Sequence, residues 1–225
     1  MSIVVGERVT WERAKEPSLQ IALDFTDLER AVWVASKVYD LVDILEVGTP
    51  LIKSEGMKAV KVLKAFNKPV FADTKTCDTG GLEAELAFSN GADAMSVMAF
   101  ADDPVISEAI EVARNNGKKV VADLMFIKDP VERAKKLKEL GVEVVELHVG
   151  ISQQLKYGKG AEELAELASE IRKLGLKVAI AGGLKPSTIP KVLDKADVIV
   201  VGGYVTKSDD PRKAVVEVLK AMGRL

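Results

Sequence analysis

Eight short apolar runs, rich in β-branched residues, recur along the chain: LQIALDF, VDILEVG, PVFADTK, DAMSVMA, KVVADLM, VEVVELHVG, KVAIAGG and DVIVVGG. They begin near positions 19, 42, 69, 93, 118, 142, 177 and 197, and most intervals are about 25 residues. That interval holds one strand, one helix and the two loops that join them. The runs are continuously apolar rather than alternating, which is what strands covered by helices require.

The segments between the runs carry helical patterns. DLERAVWVASKVYD places Leu28, Ala31, Val32, Ala35 and Val38 on one face. DPVISEAIEVARNN, DPVERAKKLKELG and DPRKAVVEVLKAMG each open with Asp-Pro, an acidic cap followed by a residue whose missing N–H costs nothing in the first turn. Gly117, Gly141 and Gly175 follow helical segments, where a left-handed cap is needed. Eight evenly spaced units predict one α/β domain, a closed (β/α)8 TIM barrel over 19–225, with 1–18 as a preceding arm or short helix that closes its bottom. A Rossmann-like sheet shares the alternation, but GxGxxG is absent after the first strand. No Ser/Gly-rich linker divides the chain.

Composition narrows the partners. Thirty-two basic residues stand against 34 acidic ones, a formal charge of −2, which gives no electrostatic case for nucleic acid or an anionic membrane. Cys77 is the single cysteine, so a disulfide framework and a multi-cysteine zinc site are excluded and a reducing cytoplasm is the expected location. No apolar run approaches the roughly 20 residues that span a bilayer. Charges interrupt the N-terminus too early for a secretory signal.

A closed barrel gathers the C-terminal ends of all its strands on one face, where such enzymes work. Here those ends carry Asp24, Glu46, Asp73 with Lys75 and then Asp78, Asp123, and His148, the only histidine. Strands seven and eight end in Gly182-Gly183 and Gly202-Gly203. Carboxylates brought together repel unless a cation sits among them. Glu46 and Asp73, on adjacent strands, are a natural pair for a hard divalent ion such as Mg²⁺. Lys75, two residues beyond Asp73, is expected on the same side of its strand, where it neutralises acids and meets a substrate oxygen. The glycine pairs lie where barrels often bind phosphate through backbone N–H groups, so a phosphorylated small molecule is the implied ligand.

Plainer readings stand beside these. Asp73 and Lys75 also read as a surface ion pair, Asp24 and Asp123 as helix caps, with Thr26 and Asp129 as neighbouring alternatives, His148 as structural, and Gly182-Gly183 as a tight turn. Cys77 reads as a small packed residue, since no second histidine exists to activate it. Trp11 and Trp33 read as core or helix-packing residues.

The run Asp73-Thr-Lys75-Thr-Cys-Asp78 resembles the D-x-K-x-x-D signature of the orotidine 5′-phosphate decarboxylase superfamily, and the likeness extends from about Leu19 to the C-terminus. Glu46, in LEVGTPLI, stands where the decarboxylases of orotidine carry lysine, and resembles the metal-dependent branch. That branch contains 3-keto-L-gulonate 6-phosphate decarboxylases and 3-hexulose-6-phosphate synthases. LQIALD, EVGTP and ADTKTCDTGG look most like the synthases, and the arginine typical of the decarboxylases three residues after the histidine is Ile151 here. The strand-eight arginine with which many members grip phosphate is also missing from Gly202-Gly203-Tyr204-Val205-Thr206.

The resemblance implies a Mg²⁺-dependent, reversible aldol condensation of formaldehyde with D-ribulose 5-phosphate, giving D-arabino-hex-3-ulose 6-phosphate. It implies that Glu46 and Asp73 hold the metal, that Lys75 donates to an enediolate, and that His148 moves the proton. Asp123 would orient a hydroxyl or water, and Asp24 would hold Lys75 or substrate. Asp78 would reach the site of a neighbouring subunit, which implies a homodimer with shared sites.

Overall fold

The structure, a computed structural model, describes residues 16–158 and 160–225. The expected arm at 1–18, and Trp11 with it, lies up to residue 15 outside the described residues. Each of the eight apolar runs forms a strand: β1 (Ser18–Leu23), β2 (Ile44–Val47), β3 (Val70–Thr76), β4 (Ala94–Met98), β5 (Lys119–Asp123), β6 (Val144–His148), β7 (Lys177–Ala181) and β8 (Val198–Val201). They pair in parallel in chain order and close, with Ile21 on β1 opposite Val201 on β8.

Side chains alternate across each strand, and the alternation sorts the core into two parts. Ala22, Ile44, Phe71, Ala94, Val121, Val144, Ala179 and Val198 belong to a plug inside the barrel. Their neighbours Ile21, Leu23, Leu45, Met95 and Val145 belong to a larger core under the helices. Each fully buried Leu or Ile there stabilises by about 1.5–3 kcal/mol before chain entropy is counted.

The helix Leu28–Val38 starts at Asp27, whose side chain accepts from the Arg30 N–H, and it buries Ala31, Val34, Ala35 and Val38. Neither Thr26 nor Asp24 is the cap, so Asp24 is left for other work. Asp129 and Asp210 cap Pro130–Leu140 and Pro211–Ala221 through the Glu132 and Lys213 N–H groups. The third Asp-Pro start is different: Asp103 is already helical, and Asp102 takes the cap position without a side-chain bond. Trp33 is 38% exposed and lies under the Arg30 guanidinium, so it is not a core residue.

One expected helix is missing. Between β7 and β8 the chain makes only the 3₁₀ turn Ile189–Lys191, because GGLKPSTIP combines two glycines with two prolines that cannot donate. Among the described residues no helix is long and apolar enough to cross a membrane.

Candidate active site

Two residues after each inward apolar residue, β2 to β6 turn polar. Glu46 follows Ile44, Asp73 follows Phe71, Ser96 follows Ala94, Asp123 follows Val121, and Glu146 follows Val144. All five are buried, none more than 5% exposed, so a polar layer lies on top of the apolar plug. His148 stands two residues beyond Glu146, at the end of β6.

Lys75 organises this layer. Its Nζ lies 3.0 Å from Asp73 Oδ1 and 2.9 Å from Asp123 Oδ2. It does not get there by plain strand alternation. The β3–β4 register shifts between Ala72 and Thr76, and Lys75 has φ of 49°, a left-handed conformation that costs a side-chain-bearing residue about 1–3 kcal/mol. Asp73 is held further by the Thr49 hydroxyl, 2.7 Å from Oδ2, and the Ser96 hydroxyl, 2.8 Å from Oδ1. Asp123 accepts from the Met125 N–H at 2.8 Å and lies 3.3 Å from His148 Nδ1.

Burial works against the Lys75 ammonium, but Asp73, Asp123 and Glu146 outweigh it and hold its pKa well above the usual lysine range. Burial likewise opposes the charge on Asp123, yet His148 and Lys75 keep that carboxyl below its ordinary value. For His148 the cost of burial is overcome by Asp123 and Glu146, so the imidazolium persists to higher pH than usual. The remaining acids are strained the other way. Burial and repulsion from Asp73, Glu146 and Asp24 push Glu46 well above its ordinary value, against one bond from Gln20 Nε2 at 2.7 Å. Glu146, without a side-chain hydrogen bond among the described residues, is pushed up to about 7 by burial and by Asp123.

The expected residues divide into those the fold brings together and those it does not. Glu46, Asp73, Lys75, Asp123 and His148 converge. Asp24 stands at the rim with its surface partly open, and lost hydration followed by Asp73 still raises its carboxyl. Its approach depends on Gly48, where a Cβ would lie 2.2 Å from Asp24 Oδ1. Asp24 is not a hydrogen-bond partner of Lys75; Asp73 and Asp123 fill that role. Asp78 is exposed and makes no side-chain bond to the cluster among the described residues. Cys77 is exposed as well, not packed. Gly182 has φ of 114°, and a Cβ there would meet Val149 O at 2.4 Å, so only glycine fits. Gly183 adjoins it, and Gly202 with Gly203 opens the short helix Gly203–Thr206 above β8.

Glu146 is the acid that strand-end reading misses, although Val144, Glu146 and His148 share one face at the period of two. Ser96, Gln20 and Thr49 are missed too, since single uncharged residues carry no signal until their partners are known.

The donor set suits a hard divalent cation. Asp24, Glu46, Asp73, Asp123 and Glu146 face one ammonium and one imidazole, and burial together with repulsion from its acidic neighbours gives the upward push on Glu46. Asp123, Glu146 and His148 also bring one ligand atom each within 4.8 Å of one another.

Known proteins resemble the chain over nearly the whole barrel. The chain is 41% identical over 207 residues to 3-hexulose-6-phosphate synthase from Mycobacterium gastri, covering 91% of this chain and 99% of that one. A crystal structure of 3-hexulose-6-phosphate synthase superposes with a TM-score of 0.87 at 41% identity, covering 91% of this chain and 99% of the other. The structure of 3-keto-L-gulonate-6-phosphate decarboxylase from Vibrio cholerae gives 0.82 at 29% identity, covering 93% and 98%. The model of the orotidine 5′-phosphate decarboxylase / HUMPS family matches residues 17–218, and with the barrel, the D-x-K-x-x-D turn and these relatives in agreement, the chain belongs to that family.

Proposed function

We propose that the chain catalyses the reversible, Mg²⁺-dependent aldol condensation of formaldehyde with D-ribulose 5-phosphate to D-arabino-hex-3-ulose 6-phosphate. The observation that carries the reading is the Lys75 ammonium fixed between Asp73 and Asp123, with His148 on the same Asp123 oxygen. Negative charge forming on a substrate oxygen beside Lys75 meets a cation that is already oriented. The synthase relatives and Ile151, in place of an arginine for a substrate carboxylate, favour this reaction over decarboxylation.

The chemistry needs one proton removed next to the ribulose carbonyl and one delivered to the formaldehyde oxygen. With the His148 Nδ1–H donated to Asp123, Nε2 is left as the base. Lys75 then stabilises the enediolate while its carbon bonds to formaldehyde, and the His148 proton passes to the new alkoxide. Glu46 and Asp73 would hold Mg²⁺, which supplies Lewis-acid stabilisation of charge on substrate oxygens. Backbone N–H groups of Gly182, Gly183, Gly202 and Gly203 would receive the phosphate. The exposure of Asp78 supports its donation to the partner's site in a homodimer. A cytoplasmic location is part of the same proposal, supported by the absence of any disulfide pair.

The test supplies formaldehyde and ribulose 5-phosphate with Mg²⁺, then with a chelator. Hexulose phosphate is expected to form, to stop on chelation and to resume when Mg²⁺ is restored. Metal-independent turnover, or none while 3-keto-L-gulonate 6-phosphate loses CO₂, would sink the reading.

A further inference from the structure

One buried hydroxyl at the centre of the site has no task in the proposed reaction. Ser96 on β4 is fully buried, and its Oγ lies 2.8 Å from Asp73 Oδ1 and 2.8 Å from the Lys75 backbone nitrogen. A hydroxyl has a single hydrogen, and a backbone N–H can only donate. Ser96 therefore accepts from Lys75 and directs its own hydrogen at Asp73. Its carbonyl oxygen in turn accepts from the Thr74 hydroxyl at 2.6 Å. One residue thus holds three consecutive residues of the D-x-K motif from the adjacent strand.

This grip falls where β3 leaves regular pairing. The register shifts between Ala72 and Thr76, and Lys75 turns left-handed at φ 49°. Such a conformation persists in a lysine only where the surroundings over-determine it. The turn also leaves a backbone N–H in a buried strand without its ladder partner, and Ser96 Oγ satisfies that group.

We infer that Ser96 is a positioning residue for the reaction: through one hydroxyl it orients the Asp73 carboxylate and holds the Lys75 backbone in the turn that brings Nζ to both Asp73 and Asp123. The kinetic half of this inference rests on the proposed function, whereas the bond from Lys75 to Ser96 does not.

Ser96→Ala tests it. Loss of a hydrogen bond to a charged group, with an amide left unpaired, is expected to lower kcat about ten- to a hundredfold. KM for ribulose 5-phosphate is expected to stay within about threefold, because no substrate contact is removed. The Lys75 amide, followed by hydrogen exchange, is expected to exchange faster than in the wild type. A kcat within about twofold of the wild type, a loss confined to KM, or a Lys75 amide that stays equally protected would overturn the inference. If the alanine variant does not fold, Ser96→Cys keeps the volume but offers only weak hydrogen bonding, and the same outcomes apply. Should the wild type show no synthase activity, the proposed function and the kinetic half fail together, while the Lys75 exchange still decides whether Ser96 holds the turn.

Discussion

At the lower end of the barrel, three aspartates precede even-numbered strands, and each is fully engaged. Asp43 accepts from the Leu19 N–H at 2.7 Å, Asp93 from the Val70 N–H at 2.9 Å, and Asp197 from the Val178 N–H at 2.9 Å. Each also has its own cations: Arg224 on Asp43, Lys64 and Lys118 on Asp93, Arg172 on Asp197. Glu143, at the matching place before β6, pairs with Lys119. At the upper end, Asp24, Glu46, Asp73, Asp123 and Glu146 share one lysine and one histidine. The same residue types therefore pin strand starts at one end and accumulate uncompensated charge at the other. Paired acids answer to stability, whereas crowded acids carry a repulsion that a bound cation would relieve.

Substitutions can break this contrast. The largest effect is expected from Lys75→Met, which leaves Asp73 and Asp123 without their ammonium. Turnover should fall by roughly a hundred- to a thousandfold, as for loss of one group facing transition-state charge, and steady-state kinetics with Mg²⁺ present would show it. If instead the variant unfolds with turnover per folded molecule unchanged, the upper end is structural like the lower one. Asp93→Ala probes the other end. Denaturant melts should show a loss of about 1–3 kcal/mol, because the Val70 N–H and two lysines lose their acceptor, while kcat at room temperature is retained. A fall in kcat matching that of Lys75→Met would erase the division between the two ends.

The smallest effect lies in pH. Glu146 titrates near 7 in the fold against an ordinary 4.5, so the folded state keeps this proton longer than the unfolded chain does. Its contribution therefore makes stability fall as pH rises from 4.5 towards about 7, and Glu146→Gln should flatten that slope in melts across the interval. Asp93 behaves oppositely. Burial opposes its charge, but Lys64, Lys118 and the Val70 N–H hold it below its ordinary 3.8. Its contribution is complete above 3.8 and is lost as pH falls through the lower folded value. A Glu146→Gln variant with the wild-type slope would mean that the upper acids carry no such cost.

Strand spacing and acidic strand ends made the barrel and most of the upper layer legible in the sequence. Asp73, Lys75, Asp123 and His148 are readable because each ends an apolar run, where a charge has no structural reason to sit. Glu146 hides inside a run, between Val145 and Leu147, and only the strand period exposes it. Ser96 and Gln20 are small or neutral, so their roles exist only in the distances to Asp73 and Glu46. The left-handed Lys75 is likewise invisible, since lysine carries no sequence mark for positive φ. The missing helix after β7 is legible from Pro186 and Pro190, although even spacing alone predicts a regular seventh helix there.

The plug beneath the upper layer runs from Ala22 and Ile44 round to Val198 and Val200, and Gln20, a neutral side chain level with Ile44, is the polar residue among them. It acts as an electrical insulator with one open side. No counter-charge can rise through it, so whatever balances the crowded acids must enter from the mouth. A cation and a phosphorylated sugar would then pass the same opening and feel the same field, and the arrival of either would change how tightly the other is held.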